Sequence, residues 1–66
     1  MRNSIKVERA KKNLTQEELA KSVSVSRQTI NAIETGKFVP STILALKIAR
    51  YFQVPIESIF ELDNND

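Results

Sequence analysis

Apolar and polar residues alternate along the chain at the spacing of short amphipathic α-helices. Apolar side chains recur three or four positions apart, and the runs of valine and isoleucine are too short to indicate strands. The pattern predicts an all-α fold with five helices, at about residues 4–12, 15–23, 27–35, 41–52 and 56–60. The fourth helix is the most apolar, so we expect it to form the centre of the core.

Local signals mark where the second and third helices begin and end. Thr15 and Glu18 have the spacing of a capping box, in which each side chain accepts a hydrogen bond from the other residue's backbone amide. Ser26 is placed to cap the third helix. Gly36 is placed to end it in the left-handed conformation.

The two helices and the turn at Ser24 and Val25 predict a helix-turn-helix between Thr15 and Lys37. Its apolar residues face inward; they are Leu19, Ala20, Val23, Val25, Ile30 and Ile33. The N-terminal half of the third helix then presents its polar residues to the outside.

These outward residues suit the recognition of DNA bases. Arginine can bond bidentately to guanine, glutamine and asparagine to adenine, and the methyl groups of threonine or alanine can contact thymine. The candidate base contacts are Arg27, Gln28, Thr29, Asn31 and Ala32. The candidate contacts to the DNA backbone are Gln16, Ser26, Lys37 and Ser41. An ordinary solvated helix surface is the alternative, and only the surrounding framework favours DNA binding.

Charge is distributed unevenly along the chain. The net charge is +2, but ten basic residues and four acidic ones precede Glu57, whereas four acidic residues and no basic one lie from there onward. A basic body suits a polyanionic partner, although a solvated surface with an acidic tail explains the pattern equally well. We take residues 1–62 as one domain and residues 63–66 as a short, frayed acidic tail.

The composition argues against several functional classes. The chain has no cysteine, no histidine and a single glycine, so the common metal sites, histidine catalysis and glycine-rich phosphate loops are excluded. We expect no enzymatic activity, cofactor, metal or small-molecule ligand. No apolar run approaches the roughly 20 residues that span a bilayer, and no signal peptide is recognisable. We therefore expect a cytoplasmic protein, nucleoid-associated when bound to DNA, with no membrane partner.

A series of short motifs resembles a known family. In order along the chain they are T-Q-E-E-L-A, V-S-R-Q-T-I, I-E-x-G-K, P-S, L-A-L-K-I-A and V-P-I-E-x-I-F. Together they resemble the phage-repressor/Cro-like (XRE) family of helix-turn-helix regulators over about residues 5–60. The resemblance implies a compact, five-helix, lambda-repressor-like domain that binds operator DNA in a prokaryote or phage host.

The resemblance also implies roles for individual residues. Gln16 would contact the DNA backbone; the recognition-helix positions that would face the groove are Arg27, Gln28, Thr29, Asn31 and Ala32. Arg9 and Glu34 would form a buried ion pair that joins the first helix to the third. One position departs from the family pattern, because Glu8 stands where many members have an apolar residue. We expect Val7 or Ala10 to make that packing contact instead.

The predicted fifth helix carries more apolar residues than a small core can cover. We expect Ile59 to face inward, and Ile56 and Phe60 to share an exposed face, with Val39 as a third candidate. Members of the family commonly pair two-fold through this end. We therefore predict a homodimer through Val39, Ile56 and Phe60 that binds a pseudo-palindromic operator, most simply as a repressor.

A protein-interaction module is the second hypothesis for function. In this case the fifth helix or the acidic tail binds a partner protein, as in the antitoxin half of a toxin–antitoxin pair. A toxin-like reading frame beside the gene would favour this hypothesis. Loss of DNA binding on replacing Arg27 and Gln28 by alanine would favour the regulator.

Overall fold

The computed structural model describes the whole chain, Met1–Asp66. Its α-helices are α1 (Ile5–Lys11), α2 (Gln16–Ser22), α3 (Arg27–Glu34) and α4 (Thr42–Phe52), and a single 3-10 turn follows at Ile56–Ser58. Two short strands, β1 (Arg2–Asn3) and β2 (Phe60–Glu61), pair antiparallel. The four α-helices agree closely with the prediction. None of them has the length and apolar character that crossing a membrane requires.

The prediction of a fifth helix is wrong, and the mostly helical chain also contains two short strands. The chain makes one 3-10 turn after Pro55 and then enters β2 at Phe60. Here the backbone is drawn toward the start of the chain: the amide of Ser4 donates to the carbonyl of Ile59 at 2.9 Å. Pairing between segments this far apart in sequence leaves no local periodic signal, which explains why the strands were not predicted.

One hydrophobic core joins all four α-helices and the C-terminal segment. Its most deeply buried large side chains are Ile5, Leu19, Ile30, Ile33, Ile48 and Ile59. The inward position predicted for Ile59 is confirmed. α4 contributes five buried residues to this core, but Ile43 is 68% exposed and Leu46 is 51% exposed. The apolar residues of α4 therefore occupy more of its circumference than the core covers.

α1 packs on the core through Ile5, and neither residue expected to compensate for Glu8 does so. Val7 and Ala10 are both exposed to solvent. Glu8 itself is half-buried and accepts a hydrogen bond from the ammonium of Lys11 at 3.1 Å. The packing of α1 therefore needs no apolar residue at this position.

The acidic C-terminal residues fold back against the N-terminus rather than fraying. The Met1 ammonium lies 3.0 Å from a carboxylate oxygen of Asp66 and 3.1 Å from one of Asp63. These contacts raise the pKa of the ammonium, the hydrogen bond to Asp66 contributing most. A hydrogen bond from the Asp63 amide, together with the ammonium, lowers the pKa of Asp66. Nearby, the Asn3 side chain donates to the carbonyl of Ile33 at 2.9 Å, which places this cluster at the C-terminal end of α3.

Candidate nucleic-acid interface

α2 begins with the predicted capping box. The Glu18 amide donates to the Thr15 hydroxyl at 3.0 Å, and the Thr15 amide donates to the Glu18 carboxylate at 2.9 Å. The bond from the Thr15 amide is the main reason why the pKa of Glu18 is lowered. At the other end, Ser24 takes the left-handed conformation, with φ of 62°. The Val25 amide then bonds back to the carbonyl of Ala20 at 2.9 Å and closes the turn.

α3 has one buried side and one exposed side. Ile30 and Ile33 are buried in the core, whereas Arg27, Gln28 and Asn31 are exposed. The Ser26 hydroxyl caps the helix by accepting a hydrogen bond from the Thr29 amide at 3.2 Å. At the opposite end Gly36 has φ of 78°, as its predicted role as the C-terminal cap requires. Both ends of the helix are therefore fixed by local hydrogen bonds and backbone conformation.

The other candidate contacts differ in burial and position. Thr29 and Ala32 are half-buried at the margins of the exposed side of α3, and the hydroxyl of Thr29 lies 3.0 Å from that of Ser26. Lys37 is exposed in the connector after α3. Ser41 is exposed at the start of α4, where its hydroxyl accepts from the Leu44 amide at 3.2 Å.

Arg9 and Glu34 form a bidentate ion pair between α1 and the last turn of α3. The Nε atom of Arg9 lies 2.6 Å from one carboxylate oxygen of Glu34, and Nη2 lies 3.0 Å from the other. Their side chains are only 14% and 5% exposed, respectively. The Glu34 carboxylate raises the pKa of the arginine. Arg9 also donates from Nη1 to the carbonyl of Leu14 at 2.8 Å, so the same guanidinium fixes the connector before α2.

Gln16, the first residue of α2, joins this ion pair to the exposed side of α3. Its Nε2 atom donates to Oε1 of Glu34 and to Oδ1 of Asn31, both at 3.1 Å. The sequence assigned Gln16 only to the DNA backbone, and its link to Asn31 was missed. The two residues belong to different helices, so no local pattern could have revealed the contact. Only the packing of α2 on α3 brings them together.

The candidate dimer residues differ sharply in exposure. Val39 is exposed and Ile56 is half-buried, but Phe60 is buried at 8% exposure. The expectation that Phe60 lies exposed beside Ile56 in a lone protomer is therefore wrong. The physical reason is the missing fifth helix, since in β2 the Phe60 side chain turns into the core instead of lying one helical turn beyond Ile56. Leu62, just beyond β2, is exposed.

Comparison with known proteins gives consistent matches over nearly the whole chain. A family model described as helix-turn-helix matches residues 5–59. Two uncharacterized HTH-type transcriptional regulators, one of Methanocaldococcus jannaschii and one of Archaeoglobus fulgidus, are each 56% identical to this chain over 66 residues. Both matches cover 100% of this chain; they cover 100% of the M. jannaschii protein and 93% of the A. fulgidus protein. The HTH-type regulator YgzD of Bacillus subtilis is 44% identical over 66 residues, the full length of both chains.

One similar solved structure is a protein–DNA complex. It is the crystal structure of the P22 c2 repressor protein in complex with synthetic operator 9T in the presence of Tl+. The TM-score is 0.77 at 26% sequence identity, and the match covers 80% of each chain.

Proposed function

Because this chain belongs to the phage-repressor/Cro-like (XRE) family of helix-turn-helix transcriptional regulators, we propose that it regulates transcription by binding double-stranded DNA sequence-specifically through α3. The observation that carries the proposal is the two-sided character of α3. Arg27, Gln28 and Asn31 share its exposed side, while Ile30 and Ile33 anchor the opposite side in the core. A helix held in this way can enter the major groove with its N-terminal residues against base edges.

Each side chain on the exposed side of α3 has a suitable partner in the major groove. Arg27 can bond to the O6 and N7 atoms of guanine, and Gln28 to the N6 and N7 atoms of adenine. We assign the methyl groups of Thr29 and Ala32, at the margins of the exposed side of α3, to contacts with thymine methyl groups. Asn31, one turn beyond Arg27, extends the reading surface along the helix.

Contacts to phosphates would hold the domain in register. Lys37 supplies a positive charge in the connector after α3. The hydroxyl oxygens of Ser26 and Ser41 accept the capping hydrogen bonds of α3 and α4, and the same hydroxyl groups can donate hydrogen bonds to phosphate oxygens. Gln16 lies beside this surface at the start of α2.

The charge arrangement also supports an anionic partner. Glu34 is the only acidic residue in α3, and its carboxylate is paired with Arg9. The acidic tail lies with the Met1 ammonium at the C-terminal end of the helix. At about 1.5 Å per residue, that end of an eight-residue helix lies roughly 12 Å from the tip that carries Arg27.

We further propose that the protein binds a pseudo-palindromic operator as a homodimer and represses transcription by occupying it, within the cytoplasm. The longest dimension of the protomer is 31 Å, which is comparable with the spacing of about 34 Å, one turn of DNA, that the two α3 helices of such a dimer would need. Val39 and Ile56 are the apolar residues proposed for this contact, and Phe60 adds only its small exposed edge. Sedimentation as a monomer at high micromolar concentration would refute the dimer.

The second hypothesis, a protein-interaction module that acts through the fifth helix or the acidic tail, stays a prediction, and in the structure the C-terminal segment would have to act without a fifth helix. The segment Ile56–Ser58 is a single 3-10 turn with no buried residue, and the residues after it enter β2. The two-sided character of α3 favours the DNA-binding regulator, which is the function proposed.

Random-site selection with the purified protein tests DNA binding and, through half-site spacing, the dimer. Arg27→Ala and Gln28→Ala should each weaken binding to the selected site by about 1–3 kcal/mol and relax the preference at one base pair. Ser22→Ala, a replacement that changes no charge at the C-terminal end of α2, is the matched control and should leave DNA binding unchanged. Lys37→Ala should weaken binding to all sequences alike and reduce the slope against salt by roughly one unit. Unchanged binding in both Arg27→Ala and Gln28→Ala would disprove the proposed mechanism.

A further inference from the structure

Gln16 connects the ion pair that stabilises the domain to the side of α3 that is proposed to read DNA. We propose that Gln16 is a positioning residue, which fixes the side-chain amide of Asn31 so that Asn31 meets the DNA as a hydrogen-bond donor. This inference rests on the proposed function and adds a specificity rule to it. It concerns three consecutive links, Arg9–Glu34, Glu34–Gln16 and Gln16–Asn31.

The orientation of each group in this chain of hydrogen bonds follows from the one before it. A carboxylate paired with arginine accepts hydrogen bonds and donates none, so the atom of Gln16 that faces Glu34 must be Nε2. The same Nε2 lies 3.1 Å from Asn31. Asn31 must therefore present Oδ1 to it, because two amide NH2 groups do not bond to each other. Nδ2 of Asn31 is left on the exposed side of the helix.

The same geometry limits what the Gln16 side chain can do with a phosphate. A phosphate oxygen accepts hydrogen bonds, and a glutamine amide has two hydrogens to donate. Both are directed to Glu34 and Asn31. A side-chain bond to a phosphate would therefore have to break one of these links, so orienting Asn31 is the role for Gln16 that preserves the observed contacts.

A fixed donor at Asn31 predicts a preference among bases. In the major groove guanine offers N7 and O6 as acceptors, adenine offers N7, and thymine offers O4, whereas cytosine offers only the N4 donor. Oδ1 of Asn31 is directed at Gln16, so Nδ2 is the atom that meets the base. The base opposite Asn31 should therefore be one with an acceptor, and cytosine should be rejected.

The first test uses the free protein and needs no DNA. The side-chain amide resonances of Asn31 are compared by NMR in the unaltered protein, Gln16→Ala and Ser22→Ala. We expect Gln16→Ala to shift these resonances and speed their exchange with water, while the backbone spectrum away from α2 stays as it was. Ser22→Ala should leave them in place. Asn31 amide resonances that do not respond to Gln16→Ala would overturn the proposal.

The second test measures base preference. The position read by Asn31 is the one whose preference disappears in Asn31→Ala. At that position Gln16→Ala should reduce discrimination against cytosine by about three- to tenfold, part of what a well-oriented side chain provides, with preferences elsewhere retained. Adding Gln16→Ala to Asn31→Ala should change nothing further at that position.

The two tests separate failure of this inference from failure of the proposed function. If Gln16→Ala weakens binding to every sequence by the same factor and leaves the preference opposite Asn31 intact, Gln16 is only a backbone contact and the inference is wrong. If the unaltered protein selects no DNA sequence, the proposed function fails. The NMR comparison then still decides whether Gln16 holds the Asn31 amide.

Discussion

Replacing either partner of the Arg9–Glu34 ion pair alone should destabilise the protein more than replacing both. Methionine is the suitable substitute, because it keeps most of the side-chain length while removing charge and hydrogen bonding. The comparison uses Arg9→Met, Glu34→Met and the double variant. It tests whether the pair behaves as a buried ion pair or as an ordinary surface contact.

The expected magnitude follows from burial and bonding. Removing one partner of a buried pair costs about 3–5 kcal/mol, because the remaining charge is left without compensation. The loss of stability in Arg9→Met should lie toward the upper end of this range. The variant leaves the Glu34 carboxylate, which is 5% exposed, with Gln16 as its one remaining hydrogen-bond donor, and it also removes the donor to the carbonyl of Leu14. Glu34→Met should lie toward the lower end, because the more exposed arginine can reach water. In the double variant no charge is stranded, and the cost should fall to about 1–2 kcal/mol.

Urea denaturation followed by far-UV circular dichroism measures these differences. A domain of this size has a total stability of roughly 3–10 kcal/mol, so either single variant should consume a large part of it. The loss corresponds to a fall in Tm of at least roughly 12 °C for 3 kcal/mol. Lys11→Met, which removes the exposed partner of Glu8, is the control and should cost less than about 1 kcal/mol. Single variants as mild as this control, or a double variant that costs the sum of the singles, would refute the reasoning.

Four further predictions concern stability. Thr15→Ala removes the N-cap of α2 and should cost about 1 kcal/mol in urea denaturation. The capping box lowers the pKa of Glu18 below that of an ordinary glutamate. Its contribution to the free energy of unfolding is therefore present above the ordinary glutamate pKa and lost as the pH falls through the folded-state pKa, which urea denaturation of the unaltered protein and Glu18→Gln over a series of pH values checks. Gly36→Ala should cost about 1 kcal/mol from backbone strain alone, because φ is 78° and nothing lies within 4 Å of the added methyl group; an unchanged Tm would argue against that conformation. Ile48→Val should cost about 1 kcal/mol and Ile43→Val less than about 0.5 kcal/mol, since only Ile48 is buried; equal effects would contradict the assigned burial.

The parts of the fold that were predicted correctly depend on residues close in sequence. The capping box joins Thr15 to Glu18, the cap of α3 joins Ser26 to Thr29, and the left-handed end of that helix needs a glycine at one position. Each is set by backbone geometry within one helical turn. The local sequence is therefore sufficient to predict the backbone conformation at these positions.

The parts that were predicted wrongly depend on which surfaces meet. The apolar character of Phe60 is compatible with a dimer interface, but the residue is buried in the protomer because β2 pairs with β1 near the start of the chain. Ile43 and Leu46 fit the apolar pattern of α4 and yet face solvent. Hydrophobicity identifies residues that can be buried, whereas the presence of a packing partner is decided by tertiary structure.

Glu34 ties the stability of the domain to its proposed specificity. The same carboxylate holds Arg9 and, through Gln16, the amide of Asn31. Any substitution of Arg9 or Glu34 that weakens the fold therefore also disturbs the side of α3 proposed to read DNA. Loss of DNA binding in such variants is no evidence that the altered residue contacts a base. Gln16→Ala leaves the ion pair in place while releasing Asn31, so a change in base preference without a comparable loss of stability is the result that separates the two roles.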